Sequence, residues 1–298
     1  MSNTLKEKLT RIEQNVNTMR TNLKLAENSL IEEVSESAKL YAPRTISFSG
    51  WQGGTDLDNE VKGLDTSNMT NMSKLFYECA KLKNLNLSHF NTSKVSFMFE
   101  MFARCSGLLT LDLSGFNTEK VSSIYGMFSG CNKLTNLDLS NFNTSKPSSF
   151  SDMFYNCYAL QSLNVNGWTI ENAIDTDSMF RNCYVLSSLD LSSFNTTNVT
   201  SMISMFNSCR ALTSLDLSNF NTSNVTSMAS MFNGCSALQH LDIRNFDFTN
   251  VTSYSSMFSG VPTSCEIIVK DETARDWISS KFSSLNNIKT VAELEASI

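Results

Sequence analysis

The 298-residue sequence has few of the features on which enzymes depend. Its two histidines, His89 and His240, lie far apart and have no cysteine or carboxylate motif beside them. It has no glycine-rich phosphate loop, zinc signature or nucleophile elbow. These absences predict that the protein is not an enzyme and that it uses no cofactor and no catalytic metal.

Positive charge and long apolar runs are also scarce. The formal net charge is −6, whereas phosphate binding requires clustered lysine and arginine, so no nucleic-acid partner is expected. No stretch is apolar over the roughly 18 residues of a spanning helix, so no membrane insertion is expected. The first residues lack the apolar segment of a secretory signal, and classical secretion is therefore not expected for the chain as given.

What the sequence has in abundance is a repeat. A Met-Phe dipeptide recurs every 26 residues from Met101 to Met257, with a Leu-Phe variant at Leu75. In seven copies a cysteine follows the phenylalanine by three residues, from Cys79 to Cys235. One cysteine per repeat, in an odd-numbered column, favours buried free thiols over a disulfide ladder or a metal stack.

Residues 212–235 (LTSLDLSNFNTSNVTSMASMFNGC) show how one repeat is expected to fold. Leu215 and Leu217 alternate with polar residues, which predicts a short strand. The apolar residues from Val225 to Cys235 have the spacing of one helix face, which predicts a short helix. The predicted fold class is therefore an α/β repeat solenoid of the leucine-rich-repeat kind, with a parallel sheet on one face and short helices on the other.

Three residues between the predicted strand and helix are also informative. Phe220 and Asn221 predict a buried turn in which the asparagine side chain bonds to the backbone of a neighbouring repeat. Thr222 is placed to cap the first turn of the predicted helix.

The chain is expected to have four parts: a stem at 1–40, an N-terminal cap at 41–63, repeats at 64–261 and a C-terminal cap at 262–298. In the last part the pattern predicts strand, amphipathic helix and strand. Apolar residues in the stem follow a heptad spacing, which predicts a coiled coil that joins several copies of the chain. A single helix folded back over the first repeat is the alternative. The heptad residues are Leu5, Leu9, Ile12, Val16, Met19, Leu23 and Leu30.

Two groups of residues are candidate ligand-binding sites. Tyr158 and Tyr184 occupy the same repeat position, with Tyr155 and Arg181 nearby, and such a cluster is typical of a partner hot spot or a sugar-stacking platform. Repeat drift with tolerated surface tyrosines is the alternative. The second group is a column of aspartates on the polar side of the strands, which includes Asp138, Asp190 and Asp216. Calcium binding, a basic partner and solubility all remain open for this column.

The pattern LDLSxFNTSxVxSMxxMFxxC, over about residues 64–261, resembles the BspA-like leucine-rich repeats of bacterial surface proteins. These are also described as mycoplasma-type lipoprotein repeats and are found in phage tail proteins. The resemblance implies a phage virion or tail protein that binds a host-surface glycan or protein. It also allows a structural subunit that contacts neighbouring virion proteins, or an adhesin on a bacterial cell surface whose export signal has been removed.

Overall fold

The computed structural model describes residues 46–55 and 57–296. The predicted stem at 1–40 and the first residues of the predicted N-terminal cap lie outside the described residues. The described helices and strands follow one another in this order: α1 (Asp58–Val61), β1 (Asn136–Asp138), β2 (Ser162–Asn164), β3 (Ser214–Asp216), β4 (His240–Asp242), β5 (Glu266–Val269), α2 (Glu272–Lys281), β6 (Ile288–Thr290) and α3 (Val291–Glu295).

The strands are parallel, and successive 26-residue repeats, here called rungs, pair in register. β1 pairs with β2, and β3, β4, β5 and β6 form a second sheet in that order. Leu215 lies opposite Leu241, and both side chains are buried, whereas Ser214 faces solvent. The parallel sheet and its buried leucines confirm the predicted strand and the predicted solenoid stacking.

The predicted short helices are wrong. Within residues 64–261 the structure describes no helix, and residues 225–235 form successive tight turns instead. The amide of Phe232 bonds to the carbonyl of Met257 in the next rung at 2.9 Å, rather than to its own segment. Ser230 and Gly234 have φ values of 57° and 75°, and a continuous α-helix cannot contain such left-handed residues. Tight turns return the chain to the core every three or four residues, so their apolar residues have the spacing of a helix face.

Phenylalanine rings form a continuous column through the core. From Phe76 to Phe258 the rings stack at centroid separations of 5.5–5.8 Å, with planes within 18° of parallel. Phe48 extends the column by one ring, 5.6 Å from Phe76. Trp168 begins a second column, and its buried indole Nε1 donates to the carbonyl of Leu139 at 2.9 Å. The rungs are therefore joined by stacked apolar groups as well as by backbone hydrogen bonds such as that from Phe232 to Met257.

A buried threonine in most rungs links that rung to the next. Thr222 Oγ1 accepts from the amide of Asp247 at 2.7 Å and donates to the carbonyl of the same residue at 3.0 Å. Asn221 Oδ1 accepts from the amide of Ser223 in its own rung. The predicted roles are thus exchanged: the asparagine closes a local turn, and the threonine connects rungs instead of capping a helix. The paired threonine bonds recur at Thr66, Thr92, Thr118 and Thr196.

The C-terminal segment has the predicted strand, helix and strand order in β5, α2 and β6. Trp277 of α2 stacks on Phe248 at 4.3 Å, and Phe282 contacts Phe258 edge to face at 5.1 Å. Phe258 is only 4% exposed as a result. The segment therefore covers the last ring of the phenylalanine column, the role expected of a solenoid cap.

Candidate functional site

Five side chains on adjacent rungs form a cluster that we call the tyrosine–arginine patch: Tyr155, Tyr158, Arg181, Tyr184 and Arg210. The rings of Tyr158 and Tyr184 stack at a centroid separation of 4.9 Å, with planes 9° apart. The guanidinium carbon of Arg210 lies 4.4 Å from the centroid of the Tyr184 ring, within cation–π distance. That of Arg181 lies 5.6 Å from the centroid of the Tyr155 ring. The fixed 26-residue period aligns these positions, because each residue stands directly against its counterpart in the next rung.

The structure brings together the four predicted residues of this cluster, Tyr158 with Tyr184 and Tyr155 with Arg181. Sequence reasoning missed Arg210. The signal for it was present, since Arg210 stands 26 residues after Tyr184 and so occupies the same column. Beside the patch, Val185 is 43% exposed, which makes it one of the few large apolar side chains open to solvent in the described chain.

The stacking decides what the patch can offer to a ligand. Tyr158 covers one face of the Tyr184 ring from the preceding rung, and Arg210 covers the other face from the following rung. A sugar ring therefore cannot stack on Tyr184. Partial burial raises the pKa of Tyr158, and the neighbouring Tyr184 and Tyr155 raise it further, so its hydroxyl stays protonated at neutral pH. The patch thus presents ring edges, phenol hydroxyls and guanidinium N–H groups.

The aspartate column serves the turns of its own rungs. Asp138, Asp190 and Asp216 each accept a hydrogen bond from the backbone amide two residues later, at 2.9–3.0 Å. Hydrogen bonds from the backbone amide and the hydroxyl of Ser140 hold the pKa of the Asp138 carboxyl below its usual range. Those of Ser192 do the same for the pKa of Asp190. Asn164 accepts the same bond, which explains why both aspartate and asparagine occur in this column. No hydrogen bond or ion pair joins the three aspartates to the tyrosine–arginine patch within the described residues.

Asp138 also lines an open groove of about 970 Å³ on the strand side of the solenoid, whose lining includes both leucines and polar residues. Asn84, Thr110, Asn136 and Ser162 supply the row of polar side chains along it. In the part of the chain that the structure describes, no three histidine, cysteine, aspartate or glutamate side chains converge as metal ligands would. The groove therefore offers amides and hydroxyls, together with carboxylates already engaged in turns.

The cysteine column is a column of buried free thiols, as predicted. Each thiol donates to the carbonyl of a phenylalanine in the preceding rung; Cys183 Sγ, for example, lies 3.3 Å from the Phe154 oxygen. Burial raises the pKa of Cys157 and of Cys235 to about 12. Cys157 and Cys235 are therefore protonated at neutral pH and act as structural hydrogen-bond donors, not as nucleophiles.

The two histidines have separate structural contacts. His89 Nε2 lies 2.7 Å from the carbonyl of Val61, and His240 Nδ1 lies 3.1 Å from a carboxylate oxygen of Glu266. Neither ring belongs to the tyrosine–arginine patch.

None of the three helices that the structure describes has the length and apolar character of a membrane-spanning segment.

The fold and the patch together define a class, a repeat protein built as a parallel β-solenoid with an aromatic and cationic surface cluster. A family model described as a Mycoplasma protein of unknown function, DUF285, matches the chain twice, at residues 47–168 and 148–270. The two matches extend over well more than half of the sequence, so the chain belongs to this family. No curated protein matches the chain.

Proposed function

We propose that the protein is a non-enzymatic binding protein that recognises a protein or a glycan on the surface of another cell. The observation that carries this proposal is the tyrosine–arginine patch. Tyrosine and arginine are the residues that most often dominate binding energy at interfaces, and here they replace the small residues of other rungs. Ser106 and Ser236, for example, occupy the column of Tyr158 and Tyr184 elsewhere in the chain.

We place the protein on the outside of a virion or of a bacterial cell, the two settings of the repeats that it resembles. A rigid solenoid suits either place, because its stacked rungs hold a surface patch in a fixed geometry. Preorganised side chains lose little conformational entropy on binding, which favours affinity. The alternative is a structural subunit that contacts only neighbouring virion proteins. A test of cell binding distinguishes it from a binding protein.

We expect the Tyr158→Ser, Tyr184→Ser double variant to lose cell binding. The variant removes the stacked pair but restores a residue that other rungs tolerate, so the solenoid should still fold. Interface hot spots contribute about 2 kcal/mol or more, so affinity should fall at least about thirtyfold. The measurement is flow cytometry of the labelled protein on a panel of bacterial and animal cells.

Tyr125→Ser is the matched control, since it breaks a different stacked pair, Phe99 with Tyr125 at 5.1 Å, which contains no residue of the patch. It should bind cells as the unsubstituted protein does. Equal binding by the double variant would contradict the proposed role of the patch. Binding to no cell type, combined with tight incorporation into purified particles, would instead favour the structural subunit.

Multivalency through the predicted stem is a separate expectation. We expect the full chain to be a homo-oligomer, and a chain starting at Tyr41 to be a monomer, because the heptad residues lie before that point. Light scattering gives both masses directly. Linked copies would strengthen weak individual sites through avidity. A monomeric full chain would contradict the coiled coil and leave the single-helix alternative.

A further inference from the structure

Two arginines of the described chain lack a carboxylate partner, and both belong to the tyrosine–arginine patch. Residues 46–55 and 57–296 contain five arginines. Three of them form ion pairs, namely Arg104 with Glu78, Arg244 with Asp242 and Arg275 with Glu293. Arg181 and Arg210 form none with the described residues. The protein carries a net charge of −6. Two guanidinium groups on neighbouring rungs, with no carboxylate partner among the described residues, therefore form a local site of positive charge on a negatively charged protein.

Both guanidinium groups are held in place by rings. Arg210 lies over Tyr184 and Arg181 lies over Tyr155, at 4.4 Å and 5.6 Å respectively. A guanidinium held on an aromatic face keeps its N–H groups available for a carboxylate, which it can bind through two parallel hydrogen bonds. Arg181 Nε, moreover, is buried and has no hydrogen-bond partner among the described residues. The patch therefore holds prepositioned N–H donors that have no acceptor among the described residues.

We infer that the tyrosine–arginine patch binds an acidic segment of a partner protein, whose carboxylates pair with Arg181 and Arg210. This inference rests on the proposed function, because it names the partner class of the same patch. A protein fits better than a glycan for a geometric reason. Both faces of Tyr184 are covered, so the patch offers no free face of that ring to a sugar, whereas its ring edges and the exposed Val185 suit apolar side chains.

The test uses the full chain and two immobilised probes, a synthetic poly-glutamate peptide and polygalacturonate, a polysaccharide that also carries carboxylates. The Arg181→Gln, Arg210→Gln variant should bind poly-glutamate at least about tenfold more weakly, because each lost pair is a charge-assisted one. The matched control is Lys120→Gln, Lys146→Gln, which changes the net charge by the same amount at exposed positions outside the patch. It should stay within about twofold of the unsubstituted protein, since exposed charges contribute little individually.

Three results would overturn the inference. One is no binding of poly-glutamate by the full chain, and a second is equal weakening by the arginine and lysine variants, which would mean nonspecific attraction. The third is arginine-dependent binding of polygalacturonate at least as tight as that of poly-glutamate, which would assign the patch to an acidic glycan.

Cell binding by the same variants separates this inference from the proposed function. If the tyrosine double variant loses cell binding while the arginine variant keeps it, the proposed function stands and the acidic partner is wrong. If the tyrosine double variant binds cells normally, the proposed function fails whatever the probes show. Arg181→Lys, Arg210→Lys provides a further readout: it keeps both charges but loses the planar fork, so partial loss of poly-glutamate binding is expected.

Discussion

Phe180→Ala is expected to lower the free energy of unfolding by about 3–5 kcal/mol, the usual loss for a buried phenylalanine. The side chain is fully buried, and its ring stacks at 5.6 Å on Phe154 and at 5.6 Å on Phe206. The substitution therefore leaves a cavity that interrupts the column on both sides. Neighbouring rungs hold each other in place, so the loss acts at two interfaces of a solenoid at once. Urea unfolding followed by circular dichroism measures the change.

Val185→Ala is the control for this experiment, because it lies in the same rung and its side chain is 43% exposed. It should change the free energy of unfolding by no more than about 0.5 kcal/mol, as exposed substitutions usually do. Similar small effects from both substitutions would show that the phenylalanine column is not what holds the rungs together. A large effect from Val185→Ala alone would point to a close contact at the surface instead.

Much of this fold follows from the sequence because the repeat fixes which residues meet. With a constant period of 26, every residue has its counterpart as its neighbour in the next rung, and the buried leucines, phenylalanines and cysteines are predictable as columns. The same rule predicts that Tyr158 meets Tyr184. Applied to the next rung, it also predicts that Tyr184 meets Arg210. Arg210 was missed because the tyrosines were grouped by residue type, and the next residue at the same repeat position is an arginine.

The backbone of each rung could not be predicted in the same way. A spacing of three and four residues between apolar side chains arises both from a helix and from a series of tight turns. What separates the two is the left-handed conformation of residues such as Arg104, Asn156 and Ser230, none of which is a glycine. Glycines at Gly130 and Gly234 occupy one of these positions in other rungs, and they were the available sign against a helix.

The aspartate column shows a second limit of sequence reasoning. A row of carboxylates one strand apart suggests a ligand when only charge is considered. The structure shows that each carboxylate closes a local turn by accepting a backbone amide, a task that Asn164 performs equally well. A position that accepts either aspartate or asparagine is thus explained by an Asx turn before any ligand is needed.

The free energy of unfolding is expected to fall steeply as the pH rises above 9, because the buried thiols cannot ionise in the folded chain. Burial raises the pKa of Cys131, Cys157, Cys183, Cys209 and Cys235 above the value of 9.0 for an exposed thiol. Above pH 9 the unfolded chain therefore binds fewer protons than the folded chain. Stability is fully present below pH 9 and is lost as the pH rises toward the folded pKa, which for Cys157 and Cys235 is about 12.

The slope follows from the proton count. Each thiol that ionises only in the unfolded chain lowers the free energy of unfolding by about 1.4 kcal/mol per pH unit, and five together by about 7 kcal/mol per pH unit. Urea unfolding at a series of pH values above 9 measures this slope.

Cys183→Ala removes one such group and should reduce the slope by about 1.4 kcal/mol per pH unit. Tyrosines ionise in the same range, but this variant leaves them unchanged, so the difference between the two slopes reports the thiol alone. Equal slopes would mean that Cys183 ionises within the folded core, which its donor bond to the Phe154 carbonyl opposes.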